Sequence, residues 1–199
     1  MKKVVIVEKV KTIREGIRIL INRFSELECV ETFDNFTDFK NKINKLEVDI
    51  LLMDLQCDSN SVLSEINTLK LGNPNLVIIV LTLNEENEII FDALLNGATS
   101  YIPKNSPTQK LVKVLEDAAE GKMIINSLIA RKTINYIKKN QLQSSYEKKE
   151  VQLLKKVTDG NNLLAIEQSL KMSSDEIKSN FKNIYSKLHS MSSNGTQKK

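Results

Sequence analysis

The sequence predicts an α/β fold, a doubly wound five-stranded parallel sheet followed by a small all-helical domain. Three observations predict it. Up to residue 118, short apolar runs alternate with stretches of helical period. Beyond Gly121 the strand-like runs stop and only helical spacing remains. The charge divides at the same place: residues 1–120 carry 14 basic and 19 acidic side chains, residues 121–199 carry 15 and 6. An acidic part joined to a basic part suits a regulatory domain carrying a polyanion binder, although lysines that merely solvate helices give the same balance.

The elements follow in order. Val4–Val7 reads as a buried strand ending at Glu8, and Ile13, Ile17, Leu20 and Ile21 as the first helical face. Cys29–Phe33 is a second strand, with Asp34 a candidate helix cap and Phe36, Phe39, Ile43 and Leu46 a second face. Val48–Met53 is a third strand ending at Asp54, and a helix covers Val62–Leu71. Leu76–Leu81 ends at Thr82, and Ile89–Leu95 closes on the turn pair Asn96-Gly97. Thr99–Ile102 is a short fifth strand before Lys104, and Leu111–Ala118 a fifth helix. A connecting helix over Ile125–Ile137 leads to a linker at Gln141–Ser145. Three short helices follow, on Val151–Val157, Leu163–Leu170 and a run capped by Ser173 or Ser174 with Ile177, Phe181, Ile184 and Leu188 inward. The short turn before the last helix is compatible with a helix-turn-helix. The expected domains are residues 1–121, a linker helix and linker over 122–145, a helical domain over 146–190, and a disordered tail over 191–199.

Composition excludes several classes. The chain has 199 residues, 41% hydrophobic and 27% charged, which suits a packed core rather than disorder. No apolar run approaches the roughly 18 residues a membrane helix needs. The first acid arrives at Glu8, too early for a signal-peptide core, so a cytoplasmic protein without membrane contact is expected. Two cysteines, Cys29 and Cys57, without a CxxC spacing argue against disulfide and zinc scaffolds. A single histidine, His189, leaves little for triad catalysis, and the absence of a glycine-rich loop after the first strand argues against a nucleotide-binding enzyme. No enzyme is expected.

Parallel sheets of this kind bind ligands beyond the carboxyl ends of their strands. The strand-end residues Glu8, Asp54, Thr82 and Lys104 therefore converge on one rim. Asp54 stands out, because a carboxylate ending a buried strand is costly unless used. Thr82 reads as a switch hydroxyl or a strand-end cap, Tyr101 as a switch aromatic or edge packing.

The order and spacing of Ile6-Val7-Glu8, Asp49–Leu55, Val80-Leu81-Thr82 and Asn96–Lys104, with Glu150–Leu154, Gly160, Ile166, Leu170, Ser173 and Ile177-Lys178 behind them, resemble a two-component response regulator of the NarL/FixJ type. The resemblance covers nearly the whole chain. It implies a receiver with Asp54 as phosphoacceptor, Thr82, Tyr101 and Lys104 as the switch set, and Glu8, Asp54 and the Gln56 carbonyl around Mg²⁺. It further implies a sensor kinase, a homodimer formed through the receiver, and DNA as partner. On its last helix the outward residues Ser174, Lys178, Ser179, Lys182, Asn183 and Lys187 would face the duplex, where lysines meet phosphates or guanine and asparagine reads adenine.

The chain departs from that pattern at Lys9, where the family has a second acid. An ammonium there lowers divalent-cation affinity, so Mg²⁺ binding is expected to be weak or absent. Lys9 reads either as a standing counter-ion of Asp54 or as a solvated lysine. Leu83 stands where the family has a small residue, and the loop after Asp54 lacks the usual proline and glycines. The expectation is an atypical receiver, poorly phosphorylated, on a DNA-binding transcription regulator. The alternative is a protein-interaction module that has lost DNA binding and titrates a partner regulator.

Overall fold

β-Branched and aliphatic runs too short for helices set the strands, and a computed structural model arranges them as one parallel sheet. It describes residues 1–57, 62–83, 87–119, 127–161 and 163–195. The chain divides into two units, Met1–Lys122 and Met123–Lys199.

In the first unit the strands are β1 (Lys2–Val7), β2 (Leu27–Phe33), β3 (Ile50–Asp54), β4 (Val77–Thr82) and β5 (Ser100–Pro103). Their order in the sheet is β2-β1-β3-β4-β5, the arrangement expected of a doubly wound fold. Val5, Leu51, Leu52, Ile78, Ile79 and Val80 are fully buried, because helices cover both faces of the sheet. Those helices are α1 (Lys11–Ile21), α2 (Phe36–Lys42), α3 (Val62–Gly72), α4 (Asn87–Leu95) and α5 (Thr108–Ala119). The cap of α2 is Asn35 and not Asp34: its side chain accepts from the Asp38 amide at 2.8 Å. The helix starts one residue later than the first acid suggests, and Asn35 holds the extended backbone that a cap needs. Gly97, at φ 111°, closes α4 as the Asn-Gly pair predicts.

Gly16 sits in the interior of α1 with ordinary helical backbone, and a Cβ built there meets nothing within 4 Å. Gly16→Ala should therefore stabilise the unit by about 0.5–1 kcal/mol, because Gly carries a helix-propensity cost with no packing reason to offset it. Thermal unfolding of the two chains checks this.

The second unit contains α6 (Ser127–Lys139), α7 (Lys148–Thr158), α8 (Leu163–Leu170) and α9 (Ser174–Gly195). Ala130, Thr133 and Ile137 of α6 are buried and the helix packs on α7. The expected linker helix within 122–145 is described over residues 127–139, where it packs on α7 as part of the helical unit, and residues 122–126 lie outside the described residues. The expected linker at 141–145 is a short 3₁₀ turn, Gln143–Ser145, entered through Gln141 at φ 54°. The expected disordered tail at 191–199 is corrected over residues 191–195, where α9 continues to Gly195, and residues 196–199 lie outside the described residues. A helix already capped and packed propagates through polar residues that would not nucleate one. Ile177, Phe181, Ile184 and Leu188 are buried, as their spacing predicts.

Candidate functional site

β1 and β3 lie side by side with Val7 opposite Met53, so Glu8 and Asp54 emerge together at the carboxyl end of the sheet. β4 and β5 continue the row, with Thr82 opposite Pro103, and the Lys104 amide donates to the Thr82 carbonyl at 2.8 Å. The rim anticipated from the strand ends is therefore real: Glu8, Asp54 and Thr82 are all buried.

Lys104 joins them. Its Nζ lies 2.6 Å from Glu8 Oε2 and 2.8 Å from Asp54 Oδ2, with the lysine side chain only 3% exposed. The remaining carboxylate oxygens take backbone donors. Val10 N donates to Glu8 Oε1 at 2.8 Å, and Gln56 N donates to Asp54 Oδ1 at 3.1 Å. Beyond its charge contact with Lys104, Glu8 Oε2 has no well-aligned donor among the described residues. Burial disfavours the Lys104 ammonium, yet its hydrogen bonds and charge contacts with Asp54 and Glu8 outweigh that and raise its pKa.

Lys9 does not join this cluster. It is exposed, and its carbonyl accepts from Arg14 Nη1 at 3.3 Å. The counter-ion of Asp54 is thus Lys104 and not Lys9, because Lys9 lies beyond the strand end on the turn that Arg14 ties down. Among the described residues no three His, Cys, Asp or Glu side chains gather as a metal-binding group. Tyr101 is half-buried on β5, and Leu83 is 58% exposed. Cys57, absent from the anticipated site, lies beside it: its Sγ is 3.8 Å from Asp54 Oδ2. Burial first, then the Asp54 and Glu8 charges, push this thiol up to about 12.

In the second unit the turn between α8 and α9 passes through Lys171 at φ 52°, with the Met172 amide donating to the Glu167 carbonyl at 3.2 Å. A capping box then opens α9. Glu176 N donates to Ser173 Oγ at 3.2 Å, and Ser173 N donates to Glu176 Oε2 at 2.8 Å. The Ser173 amide and hydroxyl hold the Glu176 carboxyl below its usual range. This acid is thereby bound to the helix start. Ser174 is half-buried, and Ser179 and Asn183 are exposed on α9. The side chains of Lys178 and Lys182 lie outside the described residues.

Lys187 is placed differently from the sequence expectation. Its Nζ reaches Glu150 Oε2 at 2.7 Å and Oε1 at 2.9 Å, and lies 5.5 Å from the centre of the Tyr146 ring. Glu150 is 1% exposed, and its Oε2 also accepts from the Glu147 amide at 2.8 Å, completing a capping box on α7. Lys187 thus ties α9 to the start of α7. The signal was present in the sequence as Glu147 and Glu150 at capping-box spacing, but a lysine forty residues on gave no hint of its partner.

The response regulator receiver domain matches residues 4–116. The transcriptional regulatory protein YdfI of Bacillus subtilis (strain 168) is 28% identical over 192 residues, covering 94% of this chain and 90% of YdfI. The oxygen regulatory protein NreC of Staphylococcus aureus (strain JH9) is 25% identical over 197 residues, covering 94% of this chain and 90% of NreC. RcsB from Salmonella enterica serovar Typhimurium, solved bound to promoter rprA in the presence of the phosphomimetic BeF₃⁻, aligns at a TM-score of 0.57 and 24% identity, over 94% of this chain and 92% of that one. With more than half its length matched, and with a helical unit behind the receiver as the fold comparison has it, the chain belongs to the response regulator receiver family, NarL/FixJ type.

Proposed function

We propose that this chain is a DNA-binding transcription regulator whose α8–turn–α9 segment meets the duplex and whose receiver works with little or no phosphorylation. The observation that carries the first part is α9 itself. Its apolar stripe is buried, Ser179 and Asn183 face solvent, and the chain from residue 121 onward has a net charge of +9. YdfI and NreC carry names of regulators, and the RcsB structure holds promoter DNA; both support this reading. DNA binding measured by fluorescence anisotropy against salt tests it. Affinity should fall steeply, and Lys178→Gln and Lys182→Gln should each lower the slope of log K against log salt by about 0.9. A saturable partner protein without salt-dependent DNA binding would favour the other reading, in which the chain titrates a partner regulator.

The receiver reading rests on Lys9, an exposed lysine that follows Glu8 where the family has an acid. With that acid missing, the two buried carboxylates Glu8 and Asp54 are left to the Lys104 ammonium. Two carboxylates shared with a lysine fit a divalent cation poorly, so Mg²⁺ is held weakly or not at all, and no step of the mechanism is routed through it. Asp54 remains the acceptor candidate, Thr82 the switch hydroxyl and Tyr101 the switch aromatic. Incubation with acetyl phosphate and Mg²⁺ should leave the intact mass largely unchanged, and efficient labelling of Asp54 would overturn this. The chain acts in the cytoplasm as a regulator and not an enzyme, pairs as a homodimer through its receiver, and takes its input from a sensor kinase or from a signal that bypasses one.

A further inference from the structure

Burial of Ala130, Thr133 and Ile137 on α6 follows the three- and four-residue spacing of one helical face and fixes which face looks outward. Away from that face stand Arg131, Lys138 and Lys139, all exposed, with Lys132 half-buried among them. Arg131 and Lys138 are two turns apart, about 10.5 Å along the axis, and Lys139 extends the row to about 12 Å. No acid occurs from Ser127 to Tyr146. The first that follows, Glu147, caps α7 with its side chain. The exposed turn after α6 carries Asn140, Gln141, Ser144 and Ser145, which add hydrogen-bonding groups and no charge. A helix dipole accounts for Lys138 and Lys139 in the last turn, but Arg131 lies two turns from that end and gains nothing from it. The Arg131, Lys138 and Lys139 side chains have no acidic partner among the described residues.

The partner class follows from what this face holds and what it lacks. Protein interfaces are built on apolar and aromatic anchors, and no large apolar side chain of α6 is exposed among the described residues. A phosphate backbone needs no such anchor, because guanidinium, ammonium, amide and hydroxyl groups meet it directly. A duplex carries one charge per about 1.7 Å of its axis, so a row of cations about 12 Å long finds phosphates in any register. α6 packs on α7, and α7 packs in turn on α9, which leaves this basic face one helix away from the helix assigned to the duplex. We propose that α6 is a second contact on the same DNA: Arg131, Lys138 and Lys139 lie along the phosphate backbone beside the segment that α9 meets, lengthening the footprint without reading bases. This rests on the DNA-binding reading above and adds to it a surface outside the helix-turn-helix.

Fluorescence anisotropy of the full chain on a mixed-sequence duplex of about 30 base pairs, roughly 100 Å long, tests it across a salt series. Arg131→Gln, Lys138→Gln and Lys139→Gln should each lower the slope of log K against log salt by about 0.9, and the three together by about 2.7. Arg131→Lys keeps the charge and should keep the slope. Lys45→Gln, which removes an exposed cation from the first unit, should leave the slope unchanged. Glutamine is as good a helix former as the residues it replaces, so urea unfolding of the variants should match the parent. The proposal alone is overturned if the parent binds DNA and the triple variant keeps its slope. It is also overturned if Lys45→Gln lowers the slope as much as the α6 changes do, because net charge would then be the cause. Saturation at more than one duplex per chain overturns it as well, since α6 would then hold a duplex of its own. A parent chain without salt-dependent DNA binding would overturn the DNA-binding reading and this proposal together.

Discussion

Replacing Lys104 with methionine should destabilise the Met1–Lys122 unit by about 3–5 kcal/mol at neutral pH, the usual cost of removing one partner from a buried ion pair. Methionine keeps most of the apolar stem and removes the ammonium, so the loss reports charge and not packing. What remains is Glu8 and Asp54, both buried, facing each other without the cation that lay 2.6 and 2.8 Å away. Asp54→Asn in the same chain should recover much of the loss. Because Lys104 is held above its ordinary 10.5 in the folded state, its contribution is complete below that pH and fades only as pH rises through the folded value. Urea unfolding of the full chain at several pH values checks both statements. A cost under about 1 kcal/mol would mean that the cluster is no better than neutral and that Lys104 is retained for another purpose.

The receiver was legible because its signals are local. Each strand is a short apolar run ending at a polar residue, and in parallel strands those ends must emerge on one side, so Glu8, Asp54, Thr82 and Lys104 could be grouped before any geometry was known. Which cation would pair with Asp54 was not legible. Lys9 is adjacent to Glu8 in sequence and Lys104 is ninety-six residues away, and only the sheet order brings β5 close enough. Boundaries failed where cooperativity overrides propensity. The serine-rich end of α9 extends an established helix, and α6 is fixed by burial of Ala130 and Ile137 against a partner that no local pattern names.

Lys187→Met should cost the helical unit about 3 kcal/mol and should leave the salt slope of DNA binding unchanged for the folded fraction. The first expectation follows from Glu150, which is 1% exposed and would be left with only the Glu147 amide as donor among the described residues. The lysine itself is 31% exposed at its side chain, so part of its interaction is screened and the figure sits at the lower end for buried pairs. Glu150→Gln should cost less than the lysine change, because a neutral amide satisfies its surroundings better than an orphaned carboxylate. Glu150→Met combined with Lys187→Met should recover most of the loss, since an apolar pair of similar volume often replaces a buried ion pair without penalty. The second expectation separates Lys187 from Lys178 and Lys182. A lysine that releases counterions from DNA changes the salt slope, whereas one that bridges helices changes the population of folded protein and not the slope. Should Lys187→Met lower the slope by about one while leaving urea unfolding untouched, the residue would belong to the DNA-contacting face and the Glu150 bridge would be incidental.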